Sequence, residues 1–379
     1  MKRAMFSTLA GASLLALVLS GCAGGATADS DTLSSTADLD AAQAVLDEAM
    51  LTPTAIGYDQ PISGEIPTDV HVVVLEVPVA VNQAQQDDRQ KLMDELGWKF
   101  TRVVVGGGPE DPAIAFDRAL DMKPDAIEFS GYDPAGMTEQ LARADEMGVI
   151  VIGQSIPYNA PAQEYPTIQG IDRALRTVEH SAKMTAAYLT VDSGGEANVE
   201  IFTVPSQVII VAYVEAVQKY LDEWCPDCTV NTTDFEFTDI GSSLPGTVVS
   251  TIQRNPETEY VVLGLGDASV GVSAAIDGAG FGEQVKIGGG IPSPENYEAL
   301  RAGTQDFWAA DTSFILLYKE TDMMIRLLLG EDISTLNDAI DVTQLLTPEN
   351  INDTAFNEDG FWIGYDDYKA AYDAQWNRG

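Results

Sequence analysis

The sequence predicts an α/β protein with two doubly wound parallel-sheet lobes, joined by a hinge and separated by a cleft. The run VHVVVLEV at residues 70–77 is continuous and β-branched, which is typical of a strand covered on both faces. Strand-like and helix-like stretches alternate from residue 68 to residue 153, and the alternation restarts at residue 198. Because parallel crossovers are right-handed, we expect each half to wind into its own open sheet.

The first 21 residues are predicted to be a signal peptide. Lys2 and Arg3 precede an uncharged run from Phe6 to Leu19, which is too short to span a bilayer and suits the apolar region of a secretory signal. The residues LSGC that end at Cys22 resemble the lipobox of bacterial lipoproteins. That resemblance implies cleavage before Cys22 and lipid attachment at this cysteine, on the extracytoplasmic side of the cell membrane. An ordinary signal followed by an incidental cysteine is the alternative.

Residues 22–67 are expected to form a lipid-anchored tether and an N-terminal helical extension. The stretch 23–36 is small and polar, as in a flexible linker, and DLDAAQAVLDEAM at 38–50 has helical spacing.

The two lobes are assigned from the repeated alternation. The first lobe is predicted to contain residues 68–171 and 312–332, and the second lobe residues 172–311 and 333–379, which include the tail. Besides 70–77, the strands are expected at 100–105, 125–130, 148–153, 198–204, 229–237, 259–265 and 285–290. Helices are expected near 82–98, 112–122, 134–147, 207–223, 244–254, 268–279 and 313–330.

Composition and missing motifs exclude several functions. A formal net charge of −39 argues against nucleic acid and anionic lipid as ligands. The two histidines, His71 and His180, are far apart, so no metal site is expected. The loop AFNEDGFWIGYD at 355–366 is spaced like a calcium loop, but alanine takes the first ligand position and an ordinary turn is predicted. No catalytic or nucleotide-binding motif occurs, so we expect neither an enzyme nor a cofactor.

The motif WCPDC places Cys225 and Cys228 at the end of a predicted helix. A small structural disulfide is favoured, because redox pairs of this spacing open a helix after a strand. An exported thiol-disulfide enzyme remains the weaker alternative.

The order of motifs resembles type I periplasmic solute-binding proteins, and within them the ribose-type sugar-binding branch of ABC importers. The resemblance rests on DELGW, on KPDAIEFSGYDPAG at 123–136 and on ADEMGVIVIGQS at 144–155. It continues in 258–281 and 285–300 and covers about residues 68–350. It implies a monomeric, hinged receptor that closes on one small molecule and delivers it to a membrane permease. A role as the ligand-binding partner of a membrane sensor is the alternative.

The resemblance also points to ligand-binding residues near the carboxyl ends of the strands, where open α/β sheets bind ligands. The candidates are Glu76, Val81, Asn82, Gln83, Ser130, Tyr132, Gln154, Ser155, Asp172, Ser206, Asp267, Trp308 and Asp311. Asp133 is instead expected to cap the turn that begins at Pro134. Where the family has aromatic rings, an acid followed by arginine, and a later aspartate, this chain has Val81 and Asn82, Ser155 and Ile156, and Gly290. A sugar-like solute is predicted first, and a nucleoside or less polar ring compound is the alternative.

Overall fold

A computed structural model describes residues 37–77, 80–106, 110–156, 165–171 and 174–378. The signal peptide, Cys22 and Asp172 lie outside the described residues, as does the side chain of Val81. The strands are β1 His71–Glu76, β2 Lys99–Val104, β3 Ala126–Ser130, β4 Ile150–Gln154, β5 Ile168–Ile171, β6 Asn198–Thr203, β7 Thr229–Asp234, β8 Tyr260–Leu263, β9 Lys286–Gly290, β10 Phe307–Asp311, β11 Thr343–Leu346, β12 Ala355–Phe356 and β13 Trp362–Gly364.

The helices follow the strands in the expected alternation. They are α1 Leu39–Ala49, α2 Ala80–Leu96, α3 Asp111–Asp121, α4 Thr138–Met147, α5 Ala174–Asp192, α6 Val208–Trp224, α7 Leu244–Arg254, α8 Val272–Gly278, α9 Pro294–Ala302, α10 Ser313–Leu329, α11 Ser334–Asp338 and α12 Tyr368–Gln375. Asp133 caps the short turn that precedes α4, because its side chain accepts a hydrogen bond from the backbone N–H of Ala135 at 2.8 Å. No helix in the described part of the chain has the length and apolar character to cross a bilayer.

The first lobe is built on a five-stranded parallel sheet in the order β2-β1-β3-β4-β5. Every residue of β1 is buried, as its unbroken apolar run predicts for a strand covered on both faces. Residues such as Ile127 and Phe129 pack under α3 and α4, while Ala126 and Ile152 face α2 and α10.

The second lobe is built on a six-stranded sheet in the order β11-β10-β9-β8-β6-β7. Its strands are parallel except β11, which pairs with β10 in the antiparallel sense. The predicted α/β fold with two parallel-sheet lobes is therefore confirmed.

The backbone passes between the lobes five times within the described residues and the short gaps between them. Two passages use the chain ends. An N-terminal strap, residues 51–66, leads from α1 on the second lobe to the first lobe, where the hydroxyl of Tyr58 donates to Asp322 Oδ2 at 3.1 Å. The other three passages are the links β5–α5, β10–α10 and α11–β11.

The C-terminal tail, residues 347–378, makes the fifth passage. Trp362 packs in the core of the second lobe, while α12 packs against α10 of the first lobe. The indole N–H of Trp376 donates to Asp322 Oδ1 at 2.7 Å. The sequence assigned residues 333–379 to the second lobe, whereas the structure places α12 with the first.

Two smaller features of the sequence also have defined places. The stretch 355–366 forms the β12–β13 hairpin, and Asn357 Oδ1 accepts the backbone N–H groups of Asp359 and Phe361 within its turn. In the described part of the chain, no three His, Cys, Asp or Glu side chains are grouped to hold a metal ion. The Cα atoms of Cys225 and Cys228 lie 5.3 Å apart at the end of α6, a separation that suits a disulfide.

Candidate functional site

The carboxyl ends of the two sheets meet at the boundary between the lobes. The last residue of β5 in the first lobe leads, after two residues, into α5 on the second lobe. Asp311 ends β10 in the second lobe, and α10 on the first lobe begins at Ser313. Because parallel strands end at a common edge, and a passage between the lobes leaves from this edge of each sheet, we infer that both carboxyl edges border one cleft, the position where open α/β sheets bind ligands.

On the first lobe, the strand register brings four residues into one transverse row at this edge. Glu76 pairs with Val104 of β2, and Ser130 of β3 pairs with Gln154 of β4. The β1–β3 pairing ends at Leu75 and Phe129, so Glu76 and Ser130 are the next neighbours along these strands. Three residues predicted separately from the sequence are thus side by side.

Glu76 is buried at this edge and is neutralised by Arg102 of β2. The Arg102 guanidinium donates to Glu76 Oε2 and, at 2.5 Å, to Asp87 Oδ1. These two carboxylates raise the pKa of Arg102. Beside them, Asn82 Oδ1 accepts the backbone N–H of Val77 at 3.0 Å, which holds the first turn of α2 against the end of β1.

Two polar residues of the row, Ser130 and Gln154, make no side-chain hydrogen bond with the described residues. Gln154 is only 4% exposed. An amide without a partner in the protein can donate to and accept from a solute, so Gln154 is a candidate to bind a ligand. The next residue, Ser155, has a φ of +48°, and Ile291 at the end of β9 has a φ of +49°. Strained non-glycine residues of this kind cluster at ligand sites.

A buried charge cluster lies behind the row. Arg89 of α2 forms ion pairs with Glu128 of β3 and Glu320 of α10, and all three side chains are fully buried. Desolvation raises the pKa of Glu320, while Arg89 lowers it. Two carboxyl groups share one cation here, and the net shift raises the pKa of Glu320, which favours its neutral form.

On the second lobe, Asp311 ends β10, directly before the passage to α10. Burial, and secondarily the charge of Asp341, raises the pKa of Asp311 to about 6. Its side chain has no hydrogen-bond partner among the described residues. Asp341, in the α11–β11 link, accepts hydrogen bonds from Lys319 of α10 at 2.7 Å and from Thr177 of α5 at 3.0 Å. These bonds connect the link to both lobes.

Three exposed apolar side chains lie among exposed polar ones in the outer part of the second-lobe edge. Val208 follows β6, Phe237 follows β7 and Val270 follows β8, and they are 57%, 46% and 50% exposed. Our sequence analysis did not select them, and each lies three to seven residues beyond the end of a strand. Within the described parts of the loops that follow the strands of both sheets, there is no Lys, Arg or His.

The other predicted site residues do not belong to the row at the first-lobe edge. Trp308 is fully buried in the second-lobe core, where its indole N–H donates to Gln305 Oε1 at 2.8 Å. Gln83, Ser206 and Asp267 are exposed, and Tyr132 is half-buried.

Gly290 stands where the resemblance expects an aspartate. A Cβ atom at this position would lie 2.7 Å from the ring of Tyr213. The packing of Tyr213 therefore excludes a larger side chain there.

Comparison with known families gives one match. The profile described as periplasmic binding protein domain matches residues 70–332. The matched range covers both sheets up to β10 together with α10, and it leaves out the whole strap, β11 and the whole tail. A comparison with curated proteins finds none that is similar in sequence.

Solved structures share the fold at low sequence identity. A periplasmic solute-binding protein of an ABC transporter from Actinobacillus succinogenes 130z, with bound D-allose, is 13% identical, with a TM-score of 0.63, and the match covers 75% of this chain and 100% of that one. The 5-methylthioribose transporter solute-binding protein from Thermotoga lettingae TMO is 16% identical, with a TM-score of 0.63, over 85% and 100% of the two chains. An ABC transporter solute-binding protein from Agrobacterium vitis, bound with α-D-tagatopyranose, is 15% identical, with a TM-score of 0.62, over 78% and 100%.

Proposed function

The chain belongs to the family of periplasmic binding protein domains, and from this premise we propose that it is the solute-binding lipoprotein of an ABC importer, which captures a small sugar-like solute by closing its two lobes. Proteins of this family bind solutes and do not transform them, so the prediction of a binding protein rather than an enzyme is confirmed. The family also implies an extracytoplasmic location.

The observation that carries the proposal is a pair of polar side chains, one at the carboxyl edge of each sheet. Gln154 ends β4 of the first lobe, and Asp311 ends β10 of the second, and neither side chain has a hydrogen-bond partner in the described part of the chain. A hydroxylated solute would supply donors to Asp311 and both donors and acceptors to Gln154. The solute favours closure only if it binds the closed form more tightly than the open form. Contacts to both lobes at once provide that difference in binding free energy.

The ligand class is inferred from the polar side chains at the two carboxyl edges. Neutral hydroxyl groups suit Gln154, Ser130 and Asp311, because they can donate to and accept from these groups. The similar structures with bound sugars support a sugar-like solute for this chain. A nucleoside or a less polar ring compound is the second candidate, because exposed apolar side chains border the same cleft.

A thermal-shift screen of residues 23–379 against sugars, polyols, nucleosides and small aromatic compounds tests the proposal. A solute at one hundred times its dissociation constant adds about 2.7 kcal/mol to the free energy of unfolding, which raises the midpoint by several degrees. Equilibrium dialysis then measures the affinity of each compound that shifts the midpoint. No saturable binding in any class would refute the receptor role.

Membrane attachment through Cys22 is part of the proposal. The lipobox-like residues 19–22 support it, and mass spectrometry of the mature N-terminus measures the lipid directly. A Cys22→Ser variant should leave the membrane fraction, and a variant that stays there would refute lipid anchoring at this residue.

We also propose that Cys225 and Cys228 are oxidised, in a structural role. An exported location permits the bond, and Cys228 Sγ also accepts the backbone N–H of Ala197 at 3.1 Å. Thiol quantification of the unfolded protein without reductant should find neither cysteine free.

Delivery to a permease and delivery to a membrane sensor are separated by co-purification with each membrane partner.

A further inference from the structure

The three passages β5–α5, β10–α10 and α11–β11 are connected to one another by hydrogen bonds. Asp311 at the end of β10 pairs with Thr343 at the start of β11, so two of the passages meet the second sheet on neighbouring strands. Asn337 of α11 accepts the backbone N–H of Ile171, the last residue of β5, at 3.0 Å and donates to the carbonyl of Gln169 at 3.2 Å. The α11–β11 segment therefore contacts the strand ends that lead into the other two passages.

An ion pair joins the α11–β11 link to a helix of the first lobe. Lys319 Nζ of α10 donates to Asp341 Oδ1 at 2.7 Å and to the carbonyl oxygen of Ala339 at 3.0 Å. The side chains of Lys319 and Asp341 are only 5% and 10% exposed. Asp341 Oδ2 also accepts the hydroxyl of Thr177 of α5 at 3.0 Å. Asp341 is thus bonded to one helix of each lobe.

The position of this pair makes it sensitive to the angle between the lobes. Because α10 packs on the first sheet and β11 belongs to the second, rotation of one lobe against the other changes the distance from Lys319 Nζ to Asp341 Oδ1. Separation of two nearly buried opposite charges leaves each without its partner, which is costly. Lobe angles that keep the two atoms in contact are therefore favoured.

We propose that Lys319 and Asp341 are a positioning pair, which holds the two lobes at the angle from which they close on the solute. This inference rests on the proposed function, in which closure captures the solute. Loss of the pair would populate other angles, and the apparent dissociation constant rises as the competent fraction falls. A fall of that fraction to about one third raises the dissociation constant about threefold.

Distances between spin labels on the two lobes test the inference on residues 23–379. The labels are placed by Met122→Cys and Glu283→Cys, which are exposed and precede β3 and β9, so they lie at the edges away from the cleft. Lys319→Met removes the cation and keeps an unbranched side chain. Without solute, this variant should show a broader distribution of distances between the labels than the parent protein. Asp341→Asn removes the other charge at constant size and should broaden the distribution likewise, even if Lys319→Met does not fold.

Lys286→Met is the matched control. Lys286 of β9 donates to Asp192 of α5 at 2.6 Å, but both residues belong to the second lobe, so the loss of this pair should leave the distance distribution unchanged. Calorimetry with a solute found in the screen should give a dissociation constant at least about threefold higher in Lys319→Met than in Lys286→Met.

A distribution that is unchanged in the folded Lys319 and Asp341 variants overturns the inference. Equal dissociation constants in Lys319→Met and Lys286→Met also overturn it and leave the proposed function standing. If no solute of the screen binds, the receptor role fails, whereas the label distances, which need no solute, still decide whether the pair sets the angle between the lobes.

Discussion

Replacement of Asp311 by asparagine should stabilise the protein in a pH-dependent way. In the folded protein, burial and the charge of Asp341 raise the pKa of Asp311 from an ordinary 3.8 to about 6. Folding therefore disfavours the ionised carboxylate. The resulting loss of unfolding free energy is absent below the pKa of the unfolded chain and complete above the pKa of the folded protein. An asparagine side chain at this position never ionises, so the replacement removes this penalty.

The size of the effect follows from the shift. A difference of about two pKa units corresponds to about 3 kcal/mol of unfolding free energy at pH 8. At pH 5 the carboxyl is largely protonated in the folded state but ionised in the unfolded chain, so about half of that difference remains. Asp311→Asn should therefore gain about 3 kcal/mol at pH 8 and about 1.5 kcal/mol at pH 5.

Urea unfolding at the two pH values measures both numbers, with Asp267→Asn as the control. Asp267 is exposed, so its replacement should change the unfolding free energy little at either pH. An Asp311→Asn gain that is equal at the two pH values, or absent at pH 8, would refute the argument that burial sets this pKa. A gain in stability accompanied by weaker solute binding would agree with a carboxylate kept for function.

Three further changes test other parts of the structure. Arg89→Met should cost about 3–5 kcal/mol in urea unfolding, because Glu128 and Glu320 would be left buried without a cation; a cost below about 1 kcal/mol would contradict the buried cluster. Gln154→Ala should weaken binding of the solute found in the screen about three- to tenfold by calorimetry while the unfolding free energy stays within about 1 kcal/mol; unchanged affinity would remove Gln154 from the site. Trp376→Ala should lower the unfolding free energy by about 3–5 kcal/mol, and a loss below about 1 kcal/mol would mean that the tail does not hold the first lobe.

Local patterns predicted most of the fold. The strand predicted at 70–77 is β1, residues 71–76, because an unbroken β-branched run is itself the signal of a strand buried on both faces. The helix end at Gly330 was also predicted, since the residue has a φ of +72° that glycine adopts without strain. These features depend on neighbours in the chain, so the sequence contains the information directly.

Contacts between distant segments could not be predicted in this way. The bond between Tyr58 and Asp322 joins residues 264 positions apart, and no period or cap anticipates it. Trp308 was selected as a site residue because it lies with Asp311 near the final crossing between the lobes, yet its side chain faces the core of the second lobe, where Gln305 accepts its N–H. Of the candidate site, the row of Glu76, Ser130 and Gln154 could be predicted residue by residue, but their adjacency depends on strand register.

The strap and the tail have a consequence for how the molecule loses its structure. Tyr58 and Trp376 both bond to Asp322 of the first lobe, while the segments on the other side of each passage pack into the second lobe. Because the strap and the tail each connect to both lobes, unfolding of one lobe also frees segments that are packed in the other lobe. Two lobes joined by short linkers alone would be free to melt in separate steps. Here both should melt in one cooperative transition, even though each sheet has a core of its own.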